Sequence, residues 1–176
     1  MEKLKNGFRF ITYLLQLSRM VIIIELIALI IFLLLSRKDL KKIFFLSKET
    51  ITKGILLGLV YSLLIFVSKQ TALGSDVINQ FIRGIQVPFF VLYIIYPLVI
   101  AVSEEFIFRY YIANRFGVYL AALLFMLLHW RPNFPTLLFL PVFIFSLSQS
   151  WLFNKTKTLF PTIIIHLFVT YSLLLL

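Results

Sequence analysis

The sequence predicts an all-α protein, a polytopic bundle of about six transmembrane helices. Three observations carry that prediction. Hydrophobic residues make up 61% of the 176 residues and charged residues only 14%, with a mean hydropathy of +1.02. A soluble domain of this size could not hide that much apolar surface, so lipid must solvate part of it. The apolar residues fall into continuous runs approaching the roughly 20 residues a helix needs to cross a bilayer, not the short alternating segments of a membrane β-barrel.

Six runs qualify as spans. The first covers roughly Met20 to Ser36. It follows a basic N-terminal stretch but contains Glu25 and ends without a small-x-small cleavage site, so it reads as a retained anchor. The second covers Gly54 to Ser68 and the third Val87 to Ser103. The fourth covers Tyr110 to His129, with Asn114 and Arg115 near its start. The fifth covers Leu137 to Phe153, and the sixth runs from Leu159 to the C-terminus. The polar connector Arg37–Lys53 holds six basic residues against Asp39 and Glu49, around the apolar Ile43-Phe44-Phe45-Leu46. It is expected to lie on the membrane surface. The domain division that follows is an N-terminal anchor and basic interfacial connector over residues 1–53, and a membrane-embedded core over residues 54–176.

The formal charge is +10. The basic residues sit mostly between apolar runs, where they set orientation and meet anionic lipid heads. The expected partner is therefore membrane lipid and not nucleic acid. The positive-inside rule makes the connector 37–53 cytoplasmic, and counting spans puts Lys155 and Lys157 on the same side. The expected location is the cell (plasma) membrane. There are no cysteines, which excludes disulfides, thiolate metal sites and cysteine nucleophiles.

Chemistry is concentrated in few residues. The chain has seven acidic residues and two histidines, and ionisable groups at membrane depth cost roughly 2.5–3.5 kcal/mol each. Glu104 and Glu105 are adjacent near the end of an apolar run. On a helix, Glu105 and Arg109 share a face and can form an ion pair. Glu104 projects about 100° away and is left for another task. His129 ends an apolar run, where an interfacial histidine is the plainer reading. His166 lies within Ile163–Val169 with no nearby charge, so a neutral imidazole there needs a hydrogen-bond partner. Helix–helix glue is its plainer reading. Thr170 lies one turn later on the same face.

A carboxylate, imidazoles and water in a protected cavity can hydrolyse an amide: the carboxylate takes a proton from water and a donor stabilises the oxyanion. Other membrane proteases do not fit. A zincin needs His-Glu-x-x-His, and Trp130 and Asn133 stand where it would place Glu and His. No Ser has a Gly-x-Ser-Gly setting. Gly74-Ser75-Asp76 is not Gly-x-Gly-Asp, and no second intramembrane Asp exists.

The pattern Glu104-Glu105-x-x-x-Arg109, then Phe125-x-x-x-His129, then His166-x-x-x-Thr170 resembles the CAAX prenyl endopeptidase and bacteriocin-processing (CPBP, or Abi) family of membrane proteins. The family's third motif commonly carries Asn where Thr170 stands, and Gly frequently follows its Arg where Tyr110 stands here. The resemblance covers about Leu98 to the C-terminus. It implies an intramembrane endopeptidase acting on a membrane-associated peptide. In that scheme Glu104 and His129 activate water, His166 and Thr170 stabilise the oxyanion, and Glu105, Arg109 and Phe125 support them. The sequence requires no cofactor. The family has been described as metal-dependent, and zinc held by Glu104, His129 and His166 is the set implied. Two other readings stand beside it: a non-catalytic membrane scaffold or bacteriocin self-immunity protein of the same fold, and an unrelated membrane subunit whose polar residues join helices.

Overall fold

The computed structural model describes residues 27, 29–31, 33–34, 38–71, 75–76, 96–129 and 136–175. The retained anchor expected over residues 20–36 falls mostly outside them, as does the start of the third span. Among the described residues the secondary structure is helical. α1 is the single turn Leu40–Ile43 in the connector, and α2 is Lys48–Lys69. A continuous rod follows from Tyr96 to Phe116: α3 (Tyr96–Glu105), a π-helical stretch (Phe106–Ala113) and α4 (Asn114–Phe116). Then come α5 (Val118–Leu128), a 3₁₀ turn (Thr136–Leu138) leading into α6 (Phe139–Thr156), and α7 (Phe160–Leu175).

α2 starts at Lys48, earlier than the expected Gly54, because Ser47 caps it. The Ser47 hydroxyl accepts from the Thr50 N–H at 3.2 Å and the Thr50 hydroxyl accepts from the Ser47 N–H at 3.1 Å, a reciprocal capping box. The last residues assigned to the interfacial connector are therefore the first turns of α2. Among the described residues α2 is the one helix long and apolar enough to cross a membrane alone. Leu56, Leu59, Val60, Leu63, Leu64 and Val67 remain exposed along it. An exposed row of large apolar side chains is the inverse of a water-soluble helix and suits a hydrocarbon solvent.

The fourth expected span divides differently. Gly117 has φ 91°, a backbone conformation that side chains disfavour, and it ends the rod. Asn114 and Arg115 thus close the preceding helix and do not open the next. α5 has 11 residues, about 16 Å at 1.5 Å per residue. That is roughly half of a bilayer core of about 30 Å.

α2 and α7 lie side by side and run in the same direction. A Cβ on Gly54 would come within 3.1 Å of the Pro161 backbone, and one on Gly58 within 2.8 Å of the Phe168 ring. The two glycines, four apart, let the helix axes approach closely. One turn on, the Ser172 hydroxyl donates to Ser62 at 2.7 Å. The connector folds onto the end of α6. The Thr158 hydroxyl contacts the carbonyls of Ile43 at 2.9 Å and Phe45 at 2.8 Å, and the Leu159 N–H donates to Ile43 at 2.8 Å. The connector and the Lys155–Lys157 turn therefore occupy the same end of the bundle. Tyr110 on the rod reaches that end as well, donating to Asp39 at 2.8 Å.

Two apolar clusters flank the bundle interior. One joins Ile43, Ala101, Phe106, Phe153, Leu159 and Ile163. The other joins Phe108, Phe125, Phe145, Leu152 and Ile165.

Candidate active site

Between the two clusters lies a set of polar side chains almost sealed from the surface. Glu105 and Arg109 are 0% exposed, Glu104 5% and His166 6%. Buried charges are tolerated only when paired and hydrogen-bonded, and each partner here is identifiable.

The expected Glu105–Arg109 pair forms, and it is two-pronged. Arg109 donates from Nε to Glu105 Oε2 at 3.0 Å and from Nη2 to Oε1 at 3.3 Å. Its third arm, Nη1, donates to the Ser146 hydroxyl on α6 at 2.7 Å. The guanidinium also lies over the Phe125 ring at 4.8 Å, a cation–π contact. The π-helical stretch begins just after Glu105, and such segments occur frequently at functional sites.

His166 is tied to the same carboxylate. Its Nδ1 lies 2.9 Å from Glu105 Oε1. An ionised carboxylate only accepts, so Nδ1 carries the proton. This fixes the ring and turns Nε2 towards Glu104, whose Oε2 lies 3.6 Å away. That separation is beyond a hydrogen bond. Among the described residues Glu104 Oε2 has no hydrogen-bond partner. For Nε2 to act as a donor the ring must hold both protons. In that form the cluster of Glu104, Glu105, Arg109 and His166 carries two negative and two positive charges and is neutral overall, which suits a low-dielectric interior.

His129 caps the end of α5, half-buried, with Nδ1 2.9 Å from the Phe125 carbonyl oxygen. Phe125 links it to the rest. The Phe125 ring centroid is 4.4 Å from that of His129 and 6.2 Å from that of His166. The structure thus brings Glu104, Glu105, Arg109 and His166 into direct contact and connects His129 to them through an aromatic ring. Thr170 is half-buried one turn beyond His166. Among the described residues no group of three or more His, Asp or Glu side chains is arranged to hold a metal ion.

α6 contributes residues the sequence reading did not single out. Ser146 anchors Arg109, and Phe145 meets His166 edge-on at 5.7 Å. Gln149 and Ser150, one turn further, are buried. The signal was available: Ser146, Gln149 and Ser150 form a polar stripe at helical spacing within an apolar run.

No curated protein and no solved structure matches the chain significantly. One family model does match, over residues 86–172, a stretch that holds all three motifs and every polar residue of the cluster. Over this stretch, just under half of its length, the chain is similar to the Rce1-like family of type II CAAX prenyl endopeptidases.

Proposed function

We propose that this chain is an intramembrane endopeptidase that hydrolyses a peptide bond of a membrane-associated peptide, with Glu104 as the base. The observation that carries the reading is the asymmetry of the two adjacent carboxylates. Glu105 is engaged by Arg109 and His166, whereas Glu104 is buried beside them with an unpartnered oxygen. A carboxylate held at membrane depth with a vacant lone pair can accept a proton from water.

A water bound between Glu104 and the end of α5 gives its proton to Glu104, and His129 orients it. The resulting hydroxide attacks the scissile carbonyl. His166 Nε2, 3.6 Å from Glu104 Oε2, stands beside the base. There it donates to the oxyanion, with the Thr170 hydroxyl as a second donor. The proton on Glu104 then passes to the leaving amine. Glu105 holds His166 in orientation, Arg109 holds Glu105, and Ser146 and Phe125 hold Arg109.

The basic connector is assigned to the cytoplasmic side of the plasma membrane on its charge. His166 is six residues into α7 from Phe160, about 9 Å below the connector end, so peptide would reach the site from that side.

The test is Glu104→Gln, which keeps shape and polarity and removes the base. We expect turnover of a membrane-tethered reporter peptide to fall about 10²–10⁴-fold, the usual range for general-base loss, with thermal stability unchanged. Full-rate cleavage by this variant removes Glu104 from the mechanism. The Thr at position 170, where the family commonly carries Asn, favours the second reading, a non-catalytic scaffold or immunity protein of the same fold. That reading expects no cleavage by wild type.

A further inference from the structure

Among the described residues, three buried side-chain oxygens have no hydrogen-bond partner: Glu104 Oε2, Gln149 Oε1 and Ser150 Oγ. The first is explained by the proposed chemistry. The other two are not, and they are neighbours in sequence. Gln149 is 1% and Ser150 0% exposed. Leaving such groups unpaired in a bundle interior is unfavourable, and native structures almost always satisfy them.

Their surroundings place them beside the catalytic cluster. Gln149 lies four residues after Phe145, which packs on His166, and three after Ser146, which holds Arg109. Ser150 lies four residues after Ser146. All share one face of α6. Gln149 therefore lies one turn from the residues of α6 that meet His166 and Arg109. At this degree of burial no lipid or peptide can reach the two oxygens. Water can: it is small, and it both donates and accepts, which suits an amide oxygen beside a hydroxyl.

We propose that Gln149 and Ser150 form the protein side of an internal water-binding site next to the Glu105–Arg109–His166 cluster. Resting on the peptidase reading, this site stocks the water consumed at Glu104, in a region where bulk solvent is remote.

The experiment is pulsed hydroxyl-radical labelling of the full chain in detergent, which oxidises side chains beside bound water. Phe145 reports on the site, and Phe153, buried two turns further along α6 in an apolar cluster, is the control. We expect Phe145 to be labelled well above Phe153 in wild type. The Gln149→Met, Ser150→Ala double variant should lose that excess and Ser150→Ala alone should lose part of it. Neither should lower the unfolding temperature, because no protein partner is removed. On a cleaved reporter, the double variant should turn over roughly tenfold more slowly at unchanged KM, because water must be recruited from outside for each cycle. Phe145 labelled no more than Phe153, labelling unaltered in the double variant, or wild-type turnover by that variant overturns the proposal. Site-dependent labelling in a chain that cleaves no reporter supports the water site and counts against the peptidase reading alone.

Discussion

Removing Arg109 is the most informative perturbation of the buried cluster. Arg109→Ala deletes two hydrogen bonds to Glu105, one to Ser146 and a cation–π contact with Phe125. It leaves the Glu105 carboxylate fully buried with His166 as its remaining cationic or donor partner. Breaking a buried pair from one side costs about 3–5 kcal/mol. At about 2–4 °C per kcal/mol for a chain of this size, the unfolding temperature should fall by about 6–20 °C. Glu105→Ala should cost a similar amount, since it strands the guanidinium and frees the His166 ring. The double variant strands neither charge, so its loss should be smaller than the summed singles by about 0.5–3 kcal/mol. Arg109→Lys should recover only part of the loss, because an ammonium cannot engage both carboxylate oxygens and Ser146 in one plane. A detergent melt followed by the fluorescence of Trp130 and Trp151 reads wild type and all four variants. Additivity of the singles to within about 0.3–0.5 kcal/mol would refute the coupling inferred from the geometry.

Other outcomes can be checked separately. Thr170→Val keeps the β-branched shape and removes only the hydroxyl, so turnover should drop by about 10²–10³-fold if that hydroxyl serves the oxyanion. Thr170→Asn should keep or raise activity, and a Val variant as active as wild type excludes the threonine from the site. Gly58→Ala places a methyl 2.8 Å from the Phe168 ring and should loosen the α2–α7 contact, with a loss of about 1–3 kcal/mol from overpacking. An unchanged melt would show that the helices can separate without cost. Because the chain has no native cysteine, single cysteines at Lys42 and Lys157 can be labelled cleanly. Both should be protected from an impermeant reagent added outside intact cells, and opposite behaviour of the two would contradict the shared end of the bundle.

Much of the site could be read from one line of sequence because its costs are local. Glu105 and Arg109 are one helical turn apart, and that spacing alone specified their pairing. His166 within an isoleucine-rich run demanded a partner, but only the fold identifies it as Glu105, 61 residues away in the chain. The resemblance marked Phe125 as a support, but its contacts with Arg109, His129 and His166 could not be read, since ring packing depends on separate elements meeting. The run from Tyr110 to His129 reads as one span because hydropathy is blind to backbone conformation. A single glycine with positive φ divides it. The close approach at Gly54 and Gly58 had a signal, two small residues four apart, that is easily lost in an otherwise uniform apolar run. The π-helical stretch had none: Phe106–Ala113 has the composition of an ordinary membrane helix.

The parallel pairing of α2 with α7 has a consequence for how the protein is made. Chains leave the ribosome N-terminus first, so α2 enters the membrane long before its neighbour exists. Until α7 emerges, the close-packing surface of Gly54 and Gly58 stays open. The Glu105–Arg109 pair can already form within its own rod, whereas His166 arrives only with the final helix. The contact between His166 and Glu105 therefore forms only after α7 has emerged. A nascent chain that stops short of α7 therefore holds Glu105 paired with Arg109 but without His166.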